Sequence, residues 1–248
     1  MNTIPKDAKT SPERKAPEQR AVTNEMKLAQ ARRELHDVLD EKFWKGAEIA
    51  MPHTLLNIEK LYNLYEAVCY VSERKIPGDF VECGVFKGGA IMMMAYTLTA
   101  HNYPLRRIHL FDTFAGFTGR TELDVDYVGR EIGKYKTNSF RKEVESNLSK
   151  ISYPSEHYVW VEGDVVQTSR SSHPKEISIL RLDTDTYETT RAELENMFPY
   201  LASGGILIVD DYGYSKGCKA AVDEYFSTYR PRLFFQRAHR SSRTAVKI

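Results

Sequence analysis

Acidic side chains at the ends of apolar segments are the residues of this sequence that are best placed to do chemistry. The segment "ISILRLDTDTYETT" (177–190) places Asp183 and Asp185 directly after an apolar, β-branched run. A second apolar segment, "GGILIVDD", ends in the pair Asp210-Asp211. Carboxylates cost free energy at the end of a buried strand unless something there needs negative charge. The two segments therefore predict a site that uses that charge.

A divalent metal ion is one partner that would need these acids. If neighbouring strands carry them, the carboxylates of Asp183, Asp185, Asp210 and Asp211 converge and raise one another's pKa values. An all-oxygen ligand set suits Mg²⁺, Mn²⁺ or Ca²⁺ better than zinc. In an extended chain Asp183 and Asp185 point to the same side, so one can bind metal while the other faces a substrate as a base. Capping of a following helix is the alternative role for one of the four acids.

A glycine-containing segment precedes them. In "VECGVFKGG" (81–89), Glu82 is followed by Gly84 and by the pair Gly88-Gly89, which opens a helical pattern. Such glycines let the backbone approach a ligand closely, and a helix N-terminus favours anionic groups. The spacing fits neither a Walker A loop nor the G-x-G-x-x-G dinucleotide fingerprint. An acid before the glycine suits a nucleoside with a cationic amino-acid tail, such as S-adenosylmethionine; a simple tight turn is the alternative.

Two further acids extend this ligand hypothesis. Asp112 ends the apolar segment "RIHLFDT", where an acid can accept hydrogen bonds from both ribose hydroxyls. Sites for NAD and S-adenosylmethionine share this device, so Asp112 indicates an adenosine without choosing between them. Asp164, in "EGD", is placed to bind an adenine amino group, or only to cap a helix that begins near Val165.

The elements that must position these residues alternate along the chain. Near-continuous apolar runs predict strands within residues 79–85, 107–113, 157–165, 177–184 and 204–211. Helical patterns occupy residues 89–101, 138–150, 186–201 and 216–229. This alternation predicts an α/β fold, a mostly parallel Rossmann-like sheet with helices on both faces, whose ligands bind outside the carboxyl ends of the strands. Residues 230–248 are predicted to close the sheet edge as an antiparallel pair.

The remaining segments are assigned as follows. Residues 1–24 are polar and contain proline, which predicts a disordered tail. Residues 25–76 form a predicted N-terminal helical cap, with helix-prone stretches at 25–45 and 54–75, and residues 77–248 form the ligand-binding domain. The long interval at about 115–137 is predicted to be a lid or substrate loop, with disorder as the alternative.

Composition excludes several classes of protein. Among 248 residues, 35 Lys and Arg nearly balance 34 Asp and Glu, so the net charge does not favour binding to nucleic acid or to an anionic membrane. No apolar run approaches the length of a membrane span. Three widely spaced cysteines and the missing apolar leader favour a reducing, cytoplasmic location. The sequence lacks the Gly-x-Ser-x-Gly and His-Glu-x-x-His motifs of hydrolases and zinc proteases.

Four segments together resemble a known family. "PGDFVECGVFKGG", "LFDTFAGF", "LRLDTDTYETT" and "ELENMFPYLASGGILIVDDYGYSKGCKAAVDEYF" are similar, in this order, to the macrocin-type (TylF-like) O-methyltransferases, from about Tyr62 to Phe226. The resemblance implies a class I S-adenosylmethionine-dependent fold, a divalent metal that is usually Mg²⁺, and methylation of sugar hydroxyls on natural products. The sequence departs from the family in "GDVVQTSRSSHP", in the lid and in the N-terminal tail.

The resemblance also implies roles for single residues. The metal ligands are Asp183, Asp210 and Asp211, and the general base is Asp185. Glu82 and Gly84 belong to the site for the methionine end, Asp112 binds ribose and Asp164 lies on the adenine side. The full predicted cofactor-binding set comprises Glu82, Cys83, Gly84, Val85, Gly88, Gly89, Asp112, Thr113, Phe114, Gly163, Asp164 and Val165.

The predicted function is metal-dependent methyl transfer from S-adenosylmethionine to a hydroxyl of a sugar or glycosylated small molecule. Metal coordination and a nearby carboxylate would make a poor hydroxyl nucleophile reactive. A catechol-type O-methyltransferase and a non-enzymatic adenosine-nucleotide sensor are the alternatives. Association into a homo-oligomer through the N-terminal helices is a further hypothesis.

Overall fold

The computed structural model describes the backbone of residues 17–134 and 136–248, with side chains from residue 24 onward. It divides into two compact units, Met1–Leu39 and Asp40–Ile248. The first contains helix α1 (Pro17–Glu34). The predicted disordered tail lies outside the described residues up to residue 16, whereas residues 17–24 are helical.

The second unit contains seven α-helices among its described residues. They are α2 (Glu41–Ala50), α3 (Ile58–Glu73), α4 (Gly89–Ala100), α5 (Arg141–Leu148), α6 (Val165–Thr168), α7 (Tyr187–Met197) and α8 (Lys216–Tyr229). The helical pattern predicted over 25–45 is interrupted, because Asp40 starts α2 by accepting a hydrogen bond from the N–H of Lys42 at 2.9 Å. Such a side-chain cap satisfies one of the free N–H groups that every helix start exposes.

Seven strands form one sheet in the part of the chain that the structure describes. They are β1 (Asp79–Cys83), β2 (Ile108–Asp112), β3 (Tyr158–Glu162), β4 (Ile177–Leu182), β5 (Leu201–Val209), β6 (Leu233–Arg237) and β7 (Arg243–Lys247). Their order is β3-β2-β1-β4-β5-β7-β6, with β1 to β5 parallel and β7 antiparallel to both of its neighbours. The predicted α/β fold and the closing antiparallel pair are confirmed. The strand order reverses between β1 and β4, which is where sheets of this kind open a ligand crevice.

The two faces of the sheet pack against different helices. Alternate strand residues such as Val81 and Leu180 join an apolar cluster with Leu194 of α7 and Val222 of α8. Each such buried side chain contributes about 1.5–3 kcal/mol to folding. Their sequence neighbours point to the opposite face, where α3 and α4 lie, because side chains alternate along a strand. All residues of β4 are buried, including Arg181.

The described part of the predicted lid loop, residues 115–137, has two backbone bridges within the loop and one to the segment before α8. Gly116 pairs with Lys136, Val125 with Glu131, and Asp126 with Ser215. None of the helices among the described residues is both long and apolar enough to span a membrane.

Gly84 joins β1 to the turn that crosses the end of β4. Its φ is 87°, and a Cβ there would lie 2.0 Å from the carbonyl oxygen of Asp183. We expect Gly84→Ala to lower the free energy of unfolding by at least about 2 kcal/mol, because it adds both a strained backbone and a clash with backbone atoms. Urea unfolding measures the change.

Gly119→Ala is the matched control, since a Cβ at Gly119 meets nothing within 4 Å. That variant should stay within about 0.5 kcal/mol of the wild type. Equal stability of the two alanine variants would show that the turn at Gly84 is not constrained as described.

Candidate functional site

A cavity of about 770 Å³ opens at the carboxyl ends of the five parallel strands. The residues following each of these strands line one side of it. The other lining segments are residues 54–57 with Lys60, residues 116–119, and residues 239–241 between β6 and β7. Among the acids predicted at the strand ends, Glu82, Asp112, Asp183, Asp185, Asp210 and Asp211 line this cavity, whereas Asp164 does not.

Arg181 lies at the centre of the acids. Its side chain is 2% exposed, and its Nη1 contacts Glu82 Oε1 and lies 2.9 Å from Asp183 Oδ2. Its Nη2 lies 3.0 Å from Asp210 Oδ1. The sheet register produces this arrangement, because Arg181 pairs with Glu82 on β1 and with Ile208 on β5. One guanidinium thus forms ion pairs with carboxylates at the ends of three adjacent strands.

A second cation reaches the same cluster from α3. The Nζ of Lys60 lies 2.5 Å from Asp210 Oδ2, so each oxygen of Asp210 faces a positive charge. Burial acts to raise the pKa of Asp210, but Arg181 and Lys60 outweigh it and hold that pKa below its usual value.

Three carboxylates form a tight group beside this ion-pair network. Oxygens of Asp183, Asp185 and Asp211 all lie within 4.8 Å of one another. Burial, with the charge of neighbouring carboxylates, raises the pKa values of Asp183 and Asp211, and it raises that of Asp185 to about 6. Asp211 Oδ2 is buried and has no hydrogen-bond partner among the described residues. An all-oxygen group of this kind, with an unsatisfied buried oxygen, fits a hard divalent cation.

The backbone conformation that brings Asp183 and Asp185 together differs from the one expected from the sequence. Asp183 and Asp185 were expected on one side of an extended chain, but β4 already ends at Leu182 and Asp185 has a φ of 65°. A tight turn, closed by a hydrogen bond from the N–H of Thr186 to the carbonyl of Thr184 at 2.8 Å, brings Asp185 back toward its neighbours. Aspartate tolerates this left-handed conformation better than most residues.

Glu82 lies at the base of the cavity. It is 1% exposed, and burial raises its pKa to about 8 although Arg181 acts in the opposite direction. One oxygen contacts Arg181, and the other, Oε2, has no hydrogen-bond partner among the described residues. A buried acceptor without a partner is costly, so a ligand with a cationic N–H group would be stabilised there.

Asp112 organises the backbone around the glycine turn. Its Oδ2 accepts hydrogen bonds from the N–H groups of Val85 at 2.7 Å and Phe86 at 3.1 Å, and its Oδ1 accepts one from Phe114 at 2.7 Å. The sequence interpretation considered Asp112 only as a ribose ligand. The structure adds a role in fixing the two loops that follow β1 and β2, while Asp112 still lines the cavity.

Seven members of the predicted cofactor-binding set line the cavity, namely Glu82, Gly84, Val85, Asp112, Thr113, Gly163 and Val165. The five that do not are Cys83, Gly88, Gly89, Phe114 and Asp164. Cys83 points to the other face of the sheet, where its Sγ lies 3.8 Å from Met197 Sδ. Asp164 caps α6 by accepting a hydrogen bond from the N–H of Val166 at 2.9 Å.

The Gly88-Gly89 pair serves packing. A Cβ at Gly89 would lie 2.8 Å from the carbonyl oxygen of Ala50 and 2.6 Å from Thr54 Cβ. Gly88 starts α4 in the left-handed conformation, with a φ of 88°. Gly89 therefore allows residues 50–54 to approach α4, and Gly88 lies against Val144 and Leu148 of α5. Neither glycine lines the cavity.

Sequence reasoning missed the opposite wall of the cavity. Asn57 and Tyr214 face it together with the tip between β6 and β7, where His239 and Arg240 line the cavity. The tip is attached to α3, since Asn57 Nδ2 lies 2.9 Å from His239 Nε2. The sequence predicted only that residues 230–248 close the sheet edge, and no local pattern in that segment indicates a cavity.

Comparison with known families gives a match over nearly the whole chain. Residues 2–230 match the family model described as Macrocin-O-methyltransferase (TylF). This match agrees with the resemblance of the four sequence segments and with the position of the cavity.

Individual relatives have O-methyltransferase names. The demethyldecarbamoylnovobiocin O-methyltransferase of Streptomyces niveus is 34% identical over 181 residues, covering 71% of this chain and 68% of that protein. The 8-demethyl-8-(2,3-dimethoxy-alpha-L-rhamnosyl)-tetracenomycin-C 4'-O-methyltransferase of Streptomyces olivaceus is 31% identical, covering 73% of this chain and 70% of that protein. The mycinamicin III 3''-O-methyltransferase of Micromonospora griseorubida is 28% identical, covering 70% of each.

Solved structures support the same fold. The O-methyltransferase NovP matches with a TM-score of 0.69 at 29% identity, covering 79% of this chain and 82% of NovP. The calicheamicin methyltransferase CalS11 matches with a TM-score of 0.67 at 20% identity, covering 98% of this chain and 99% of CalS11. The predicted fold class is confirmed.

Removing the central guanidinium tests the ion-pair network. We expect Arg181→Met to lower the free energy of unfolding by about 3–5 kcal/mol, because it leaves buried carboxylates uncompensated. Urea unfolding followed by circular dichroism measures the change.

Arg141→Met is the matched control. Arg141 also pairs with two acids, Glu145 and Glu162, but its side chain is 36% exposed. Its loss should cost no more than about 1 kcal/mol. If the two methionine variants are equally stable, Arg181 does not hold the strand ends together.

Proposed function

The chain belongs to the macrocin O-methyltransferase (TylF) family, and from that premise we propose that it methylates a hydroxyl of a sugar or glycosylated small molecule in a metal-dependent reaction. Family membership makes it an S-adenosylmethionine-dependent O-methyltransferase, which sets aside the alternative of a non-enzymatic sensor. The observation that carries the finer proposal is the single cavity that holds both the glycine turn with Glu82 and the carboxylate group of Asp183, Asp185 and Asp211.

The acceptor class is supported by the relatives. Their names place the methyl group on demethyldecarbamoylnovobiocin, on a rhamnosyl-bearing tetracenomycin and on mycinamicin III. We extend the sugar or glycoside class to this chain because its cavity has a second, polar wall beside the acids, with Asn57, Tyr214 and Arg240. A screen of glycosides against catechols separates this acceptor class from the catechol alternative.

S-adenosylmethionine supplies a methyl group that is activated by its positive sulfonium. Its amino-acid end would lie at Glu82, whose Oε2 can accept a hydrogen bond from a cationic amino group. Its ribose would lie at Asp112, where the carboxylate retains acceptor capacity beyond its three backbone partners. Gly163 and Val165 would line the adenine side.

The acid group would hold the metal. We assign Asp183 and Asp211, two members of the close carboxylate group, as ligands. The third would be Asp210, which lies outside that group and would have to exchange its Lys60 contact for the ion. The contact of Asp210 Oδ2 with the ammonium of Lys60 supports this assignment, because a cation is already paired with that oxygen. A bound Mg²⁺ would orient an acceptor hydroxyl and lower its pKa. Arg181 would keep Asp183 and Asp210 in place through its contacts with Oδ2 and Oδ1.

Asp185 is the proposed proton acceptor. It lines the cavity with Asp211 and forms no ion pair with Arg181 or Lys60, so its carboxylate is not held by a cation and is available to an acceptor in the cavity. Its task is to take the hydroxyl proton while the oxygen attacks the methyl group. No covalent enzyme intermediate is needed, which agrees with the lack of a nucleophile motif in the sequence.

Removing the metal should remove the activity. We expect chelation with EDTA to abolish methyl transfer and added Mg²⁺ to restore it, because the hydroxyl would otherwise keep its high pKa. Formation of S-adenosylhomocysteine measures the rate, and calorimetric titration with Mg²⁺ measures binding independently. Full activity in the chelator would contradict the metal assignment.

Replacing the proposed base should separate chemistry from binding. We expect Asp185→Asn to lower kcat by about 10²–10⁴-fold, the usual contribution of a positioned general base. The dissociation constants for S-adenosylhomocysteine and Mg²⁺ should stay close to those of the wild type.

Glu188→Gln is the control, because Glu188 is an exposed acid three residues later that does not line the cavity. It should keep the wild-type rate. A wild-type rate in Asp185→Asn would overturn the base assignment, and a loss of Mg²⁺ affinity in that variant would make Asp185 a ligand instead.

A further inference from the structure

The predicted lid or substrate loop, residues 115–137, is called the substrate loop here. In its described part it lines the cavity and is bonded to neighbouring helices. Gly116, Phe117 and Thr118 line the cavity. Farther along the same loop, the side chain of Asp124 is completely buried. A buried carboxylate requires partners that repay its lost hydration, so the contacts of Asp124 identify what the loop is attached to.

Asp124 binds the start of α7 across 63 positions of sequence. Its Oδ1 accepts a hydrogen bond from the N–H of Tyr187, the first residue of α7, at 2.7 Å. Its Oδ2 accepts hydrogen bonds from the N–H of Thr121 at 2.5 Å and from Thr121 Oγ1 at 3.1 Å. Oδ2 therefore binds within the loop, and Oδ1 binds the helix.

Helix α7 lacks a cap from its own sequence. Thr186 occupies the capping position, but its side chain makes no capping hydrogen bond. The first N–H groups of a helix need acceptors, and negative charge is favoured there by the helix dipole. Asp124 supplies both from the substrate loop.

The capped residue lies two positions after the proposed base. Asp185 sits in the turn between β4 and α7 with a φ of 65°, and that turn must be held by its surroundings. Thr184 and Thr186 each bond Thr189 Oγ1, at 2.7 and 2.8 Å, which fixes the turn from inside α7. The bond from Asp124 to Tyr187 fixes it from the loop.

The loop is also fitted against α8, which follows the second pair of acids. A Cβ on Gly217 would lie 2.1 Å from Asp124 Oδ1, so glycine leaves the space that this carboxylate occupies. The N–H of Lys216 donates to the carbonyl of Val125 at 3.0 Å. Residues 124–125 thus lie between the N-termini of the two helices that follow the acidic segments.

We propose that Asp124 is a positioning residue that couples the substrate loop to the turn carrying Asp185, and so sets the direction of the Asp185 carboxylate relative to the acceptor. The inference rests on the proposed function for the role of Asp185. The attachment itself rests only on the contacts of Asp124, so the two can be tested separately.

Asp126 offers a matched control. It is also buried, at 2% exposure, and lies in the same loop. Among the described residues its carboxylate bonds only within the loop, accepting from the N–H groups of Val128 and Arg130 at 2.9 Å each and from Arg130 Nε at 2.6 Å. Asp124→Asn and Asp126→Asn therefore make the same chemical change with and without a direct effect on α7.

The experiment measures kcat, the dissociation constant for S-adenosylhomocysteine and the exchange rate of the Tyr187 amide proton in the full-length chain. We expect Asp124→Asn to lower kcat by about tenfold or more, as small misplacements of catalytic groups do. Cofactor affinity should be retained and exchange at Tyr187 should accelerate. Asp126→Asn should keep both the rate and the protection of Tyr187.

Gly217→Ala perturbs the same contact from the other side and keeps the proposal testable if Asp124→Asn does not fold. Its methyl group should displace the Asp124 carboxylate and reproduce the loss of kcat and of amide protection. Equal rates in the Asp124 and Asp126 variants, or unchanged exchange at Tyr187, would overturn the proposal. Accelerated exchange together with full activity of Asp185→Asn would instead contradict the proposed function and leave the attachment standing.

Discussion

The buried guanidinium of Arg181 is the interaction on which the site depends. It contacts Glu82, Asp183 and Asp210, which stand at the ends of three adjacent strands, and the parallel register places it between them. Without it, several carboxylates would share a poorly hydrated space and repel one another. With it, the strand ends can carry the acids that the chemistry requires. The apolar strand that contains Arg181 is therefore the structural basis of the acidic site.

The acids of the site differ in whether a cationic side chain contacts them. Asp210 faces cations on both oxygens, whereas Asp185 and Asp211 have no arginine or lysine partner among the described residues. The negative charge that these two carboxyls carry when ionised is therefore left without a compensating cation. A divalent ion and a cationic cofactor are the ligands that would balance it. The surrounding loops fix this arrangement through backbone hydrogen bonds, with Asp112 holding the glycine turn and Asp124 holding the start of α7.

The sequence predicted the parts of this site that depend on local pattern. Apolar runs alternating with helical segments were sufficient for the sheet and its helices, because burial on both faces leaves few polar residues in a central strand. The family and fold predictions are confirmed. Contacts between distant segments left no local signal, and these are the ones that were missed: Lys60 on Asp210, Asp124 on Tyr187 and the tip near His239 in the cavity wall. The assumption of an extended chain failed at Asp185 because the strand had already ended.

A crystal structure with Mg²⁺ and S-adenosylhomocysteine tests these assignments most directly. We expect an ion about 2.0–2.1 Å from oxygens of Asp183, Asp210 and Asp211, the usual distance for Mg²⁺. Lys60 should have left Asp210, Arg181 should still contact Asp183 and Asp210, and Asp185 should face the acceptor space. An ion held by Asp185 while Lys60 remains on Asp210, or a soaked crystal with no ion at these acids, would contradict them.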